Sequence, residues 1–102
     1  MRLLDLLGFR NKSKKISEFV QNGAVIIDVR SVAEYSGGHI IGSKNFPLET
    51  ILSKIDAIKE YNKPVIACCA SGMRSALATK TLKSYGITAL NGGSWSSLKL
   101  KI

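Results

Sequence analysis

Two uninterrupted apolar runs constrain this chain more than any other feature: Ala24-Val25-Ile26-Ile27-Asp28-Val29 and Pro64-Val65-Ile66-Ala67-Cys68-Cys69. A strand that is apolar at consecutive positions, rather than alternate ones, is buried on both faces, as in a parallel sheet covered by helices. Parallel neighbours need long crossovers, and segments of helical spacing lie around and between the runs. Ile16, Phe19 and Val20 place a helix over residues 15–21 that stops at Asn22-Gly23. Ser31-Val32-Ala33-Glu34 has the form of a capping box, so a short helix starts there and breaks at Gly37-Gly38. A loop follows from His39, with a short strand over residues 44–46 closed by Pro47. Leu48, Ile51, Leu52, Ile55 and Ile58 form the stripe of a further helix. Residues 73–85 read as another helix stopped by Gly86, and residues 87–90 as another strand. Asn91-Gly92-Gly93 reads as a turn, after which Ser94 caps a last helix through Leu98. The alternation predicts an α/β fold, a mostly parallel sheet with helices on both faces.

Size and composition narrow the class. At 102 residues the chain is one domain, with residues 1–14 as an apolar and basic leader and 15–102 as the folded unit. The two cysteines are adjacent and cannot staple a fold, which points to a reducing, cytoplasmic setting. With no C-x-x-C and a single histidine there is no ordinary zinc set, so no metal is expected. The net charge is +8, but the lysines are dispersed and few aromatics interleave with them, which argues against nucleic acid. A basic field of this kind draws small anions or an acidic partner. Leu3, Leu4, Leu6, Leu7 and Phe9 make the leader apolar, yet Asp5 interrupts it and it falls far short of the ~20 residues of a membrane span. Packing on the domain is the simpler reading of it, with contact to an anionic membrane surface as the other. A monomer is expected.

The octapeptide Cys68-Cys69-Ala70-Ser71-Gly72-Met73-Arg74-Ser75 joins the second apolar run to the helix after it. A strand, a tight loop and a helix N-terminus converge unpaired N–H groups and a positive dipole end, and so form a cradle for an anion. A cysteine at its mouth has a lowered pKa and is partly thiolate at neutral pH. In parallel sheets ligands bind beyond the carboxyl ends of the strands, where Asp28, Arg30 and the Cys69 loop all fall.

Four segments then carry a family resemblance, in order: Asp28-Val29-Arg30; Glu34-Tyr35 with Gly38-His39-Ile40 and Gly42; Asn45-Phe46-Pro47; and Cys69-x-x-Gly72-x-Arg74-Ser75. Gly92-Gly93 and Trp95 complete the series. Over residues 16–98 the chain resembles a single-domain rhodanese, a sulfurtransferase homology domain. The resemblance implies a three-layer fold around a five-stranded, mostly parallel sheet. It also implies that Cys69 takes a sulfane sulfur from an anionic donor, thiosulfate or a persulfide, and passes it to a thiol, cyanide or a protein acceptor. The persulfide is covalent, so no cofactor is required.

Sulfane-sulfur donors and the persulfide are negatively charged, so the loop must hold negative charge throughout the cycle. Backbone N–H groups from Ala70, Ser71, Gly72, Met73, Arg74 and Ser75 are the candidate substrate-binding set. Gly72 permits a close turn, and Arg74 offers a fork to a sulfonate or stands in solvent. Ser75 caps the helix or donates to the persulfide, and Met73 lines the entrance or fills a gap. Asp28 and Arg30 form an ion-paired frame or touch substrate, while His39 anchors backbone near the second loop. Trp95 packs in the core or as a lid.

Cys68 keeps a second count alive. From Cys68 the loop reads Cys-x5-Arg, the spacing of cysteine phosphatases and arsenate reductases; from Cys69 it reads Cys-x4-Arg, the sulfurtransferase spacing. Gly72-x-Arg74-Ser75 is in register with Cys69, which is therefore the nucleophile. Cys68 is then either a buried strand-end thiol or a resolving thiol. A non-catalytic binding or sensory module on the same fold is the remaining alternative.

Overall fold

In a computed structural model of the chain, residues 3–102 are described, with side chains from residue 11 onward. Met1 and Arg2 of the predicted leader lie outside the described residues, as do the leader's apolar side chains. Helix α1 (Leu3–Gln21) runs through the expected leader into the domain without a break. Gly23, at φ +78°, ends it, with the Gly23 and Ala24 N–H groups donating to the Val20 and Phe19 carbonyls. The chain continues through β1 (Val25–Asp28), α2 (Val32–Ser36), β2 (Lys44–Asn45), a 3₁₀ helix (Leu48–Lys54) and α3 (Ile55–Glu60). It closes with β3 (Val65–Cys69), α4 (Met73–Ser84), β4 (Ala89–Ser94) and α5 (Trp95–Lys99).

The sheet is parallel throughout, in the order β2-β1-β3-β4. Among the described residues it has four strands rather than the five that the resemblance implies, and these are the four segments that carry a strand signal in the sequence itself. Alternation along β3 splits the core. Val65, Ala67 and Cys69 face a cluster with Ile27, Ile51, Ile58, Ala78 and Leu82, under α4, α3 and the 3₁₀ helix. Ile66 and Cys68 face the opposite cluster, with Ile16 of α1, Leu98 of α5 and Ile40. All five residues of β3 are buried, as the unbroken apolar run requires.

Three local expectations change. The stripe from Leu48 to Ile58 is a 3₁₀ turn followed by a short α-helix, and Leu52 leaves it for solvent, 67% exposed. The strand expected at residues 87–90 starts instead at Ala89 and runs through Asn91-Gly92-Gly93, which is no turn. The pairing register slips between Ala67 and Cys68: Ala67 stands opposite Asn91 but Cys68 opposite Gly93, so one extra residue is inserted at a bulge. A Cβ at Gly92 would stand 2.7 Å from Ile66 Cγ2 and 2.9 Å from Leu98 Cδ2, so glycine is there to bring the backbone against the core. The predicted caps are both present: Ser31 and Glu34 exchange hydrogen bonds in a capping box, and Ser94 Oγ accepts from the Ser97 N–H.

Candidate active site

Cys69 is the last residue of β3, so the fully buried end of the sheet delivers it to the N-terminus of α4. The adjacent thiols part company here, because neighbouring strand residues point to opposite faces. Cys69 points toward α4, whereas Cys68 packs in the α1/α5 cluster, and both are fully buried.

The loop closes over Cys69 Sγ with donors. The Gly72 N–H donates to it at 3.0 Å and the Ser75 N–H at 3.4 Å, with Ser75 Oγ also 3.4 Å away. Gly72 makes this approach by adopting φ +101°, a conformation that costs other residues about 1–2 kcal/mol. A Cβ there would also meet Gly93 Cα at 3.3 Å. Gly72, not Ser75, occupies the cap position of α4; Ser75 lies in the first turn, fully buried. Ala70, Ser71 and Met73 are exposed on the outside of the loop.

The two thiols differ electrostatically. Burial pushes the Cys69 thiol up, but hydrogen bonding with the Ser75 side chain and the N–H bonds from the Ser75, Gly72 and Ser71 backbones outweigh it, and the net pKa is lowered. Cys68 has no such donors. Burial, reinforced by the charge of Asp28, pushes it up to about 12.

Asn91 holds the loop from below, and sequence reasoning missed it because Asn-Gly-Gly reads as a turn. Its Oδ1 accepts from Ser75 Oγ at 2.6 Å and from the Gly93 N–H at 3.0 Å, while Nδ2 donates to the Gly72 carbonyl at 3.1 Å. The Gly93 N–H fixes the amide orientation, since a flipped amide would set donor against donor.

The two arginines are both committed to carboxylates. Arg74 forks onto Glu34 with bonds of 2.7 and 3.0 Å, tying α4 to α2 at the half-exposed surface. Glu34 is held low, at about 2, by that guanidinium first and by the Ser31 backbone next. Arg30 is buried against Asp28, with Nε 3.0 Å from both carboxylate oxygens and Nη2 2.8 Å from Oδ2. Its remaining N–H groups donate to the Glu34 and Gly38 carbonyls, and the guanidinium lies 4.7 Å from the centre of the Trp95 ring. His39 stacks on Tyr35 at 3.8 Å and its Nδ1–H donates to the Tyr35 carbonyl at 2.8 Å. The structure therefore brings Cys69, Gly72 and Ser75 together and places Asp28, Arg30, His39 and Trp95 in the frame around α2. One further cation reaches the rim: Lys12 Nζ of α1 lies 3.6 Å from where a Cβ on Gly93 would stand.

The rhodanese-like domain family model matches residues 13–97. Over 67 residues the sequence is 39% identical to the uncharacterized protein YqhL of Bacillus subtilis (strain 168), an alignment covering 66% of this chain and 52% of that protein. It is 34% identical over 76 residues to the thiosulfate sulfurtransferase GlpE of Pseudomonas fluorescens (strain SBW25), covering 72% of this chain and 69% of GlpE. Among solved structures, the human single-domain sulfurtransferase TSTD1 superposes with a TM-score of 0.68 at 27% identity, covering 87% of this chain and 93% of that one. The chain thus spans about half the length of YqhL and about two thirds of GlpE.

Proposed function

The chain belongs to the rhodanese-like domain family, and from that premise we propose that it is a sulfurtransferase that carries a sulfane sulfur on Cys69. The observation that carries this reading is the pair of backbone N–H donors converging on Cys69 Sγ from Gly72 and Ser75. In the first half-reaction the Cys69 thiolate attacks the outer sulfur of thiosulfate. A new S–S bond forms, the S–S bond of thiosulfate breaks, and its electron pair leaves on sulfite. The product is a Cys69 persulfide anion, whose charge lies on the outer sulfur and is stabilised by the positive N-terminal end of α4. In the second half-reaction a nucleophilic acceptor, cyanide or a thiolate, attacks the terminal sulfur and the electron pair returns to Cys69. Charge and sulfur balance in both steps, and no metal or cofactor is called on.

Cys68 is set apart from this chemistry by its direction and its raised pKa, which supports the Cys-x4-Arg count over the phosphatase count. Thiocyanate formation from thiosulfate and cyanide tests the proposal. Turnover should vanish in Cys69→Ser and persist in Cys68→Ser. Loss in Cys68→Ser with retention in Cys69→Ser overturns the assignment.

A further inference from the structure

We infer that Lys12, on α1, is the cation that faces the incoming sulfur donor and gives this chain its selectivity for negatively charged donors. The inference rests on the reading of Cys69 as the reactive thiol. Lys12 lies on α1, one residue ahead of the start of the family match.

The placement follows from two close approaches. Lys12 Nζ sits against Gly93, 3.6 Å from where a Cβ would be, and Gly93 Cα in turn sits against Gly72. Gly72 supplies the 3.0 Å donor to Cys69 Sγ. Gly93 has no side chain to intervene, so the ammonium borders the loop with one residue's backbone between them. Any side chain at residue 93 would stand in that gap, at a backbone φ of +82° that already favours glycine.

The other cations near the site cannot serve an anion in the same way. Arg74, which the sequence offers as the fork for a sulfonate, has both terminal nitrogens on Glu34. Arg30 is buried and bound to Asp28. Lys12 is exposed and has no ion pair or hydrogen bond among the described residues. An uncompensated ammonium beside the loop lowers the energy of any anion approaching Cys69, and leaves a neutral reagent unaffected. Lys12 acts on the substrate's charge and takes no part in the bond changes at sulfur.

Alkylation of Cys69 by iodoacetate, an anion, and by iodoacetamide, its neutral analogue of nearly the same size, separates charge from reactivity. The expected result for Lys12→Met is a fall of about three- to tenfold in the iodoacetate-to-iodoacetamide rate ratio at low salt, with the iodoacetamide rate within about twofold of wild type. Lys12→Glu should lower the ratio further and Lys12→Arg should preserve it. The same Lys12→Met change should raise the KM for thiosulfate by a similar factor and leave kcat within about twofold. A ratio unchanged in both Lys12→Met and Lys12→Glu overturns the inference, as does an equal loss with both reagents. The alkylation ratio needs no sulfur transfer, so absence of thiosulfate turnover in the wild type would count against the proposed function and leave the ratio to decide on Lys12.

Discussion

At the scale of single residues, the fold gives two adjacent cysteines different surroundings. Strand alternation sends them to opposite faces, and only Cys69 finds donors. Its hydrogen bonds outweigh burial and lower the thiol, so the midpoint of the pH profile for Cys69 alkylation should lie below that of an unfolded control. Cys68 gives a second, opposite prediction. Pushed up to about 12 in the folded state, it lies above the ordinary thiol value of 9.0, so its contribution to stability is fully present below pH 9 and is lost as pH rises toward 12. Urea midpoints measured from pH 8 to 11 should therefore fall less steeply in Cys68→Ala than in wild type. The spacing of Gly72 and Arg74 from Cys69 is readable from the chain, and so is the strand that sends the two thiols to opposite faces. The partners of Arg74 and Ser75 were not, since Glu34 and Asn91 lie 40 and 16 residues away and only the folded sheet brings them near.

At the scale of elements, the informative failure is Asn91-Gly92-Gly93. Two glycines after a polar residue carry the composition of a turn, but here they carry a bulge within the β3–β4 pairing, beside Asn91, whose side chain bonds to the loop. The distinction lies in what surrounds Gly92: Ile66 and Leu98 leave no room for a side chain, and spacing within the chain does not reveal that. Gly92→Ala should cost about 1–3 kcal/mol by overpacking, measured as a shift in the urea midpoint at constant slope. Elements whose signals are local were readable. The Ser31-to-Glu34 box, the Gly23 stop and the Ser94 cap each work within a few residues, and each is where the sequence puts it. The fifth strand came from resemblance alone, and the four strands among the described residues are those with their own signal in the sequence.

At the scale of the whole molecule, a buried ion pair holds the frame on which the loop is mounted. Arg30 links the end of β1 to the carbonyls of Glu34, midway along α2, and Gly38, just beyond it, and to Trp95 at the start of α5. Removing one partner of a buried pair leaves a charge without compensation, so Arg30→Met should destabilise the protein by about 3–5 kcal/mol, read by chemical denaturation. The surface pair of Arg74 and Glu34, half exposed, is worth far less, about 1 kcal/mol or below. The parallel α/β class was readable because it follows from burial of whole strands, a property that the apolar runs display directly. Everything above depends on one thiol, and the most direct measurement is mass spectrometry of the intact protein after exposure to thiosulfate, with tandem fragmentation between residues 68 and 69. The expected result is a single added sulfur on Cys69, absent in Cys69→Ser and released by cyanide. A sulfur found on Cys68, or persisting in Cys69→Ser, contradicts it.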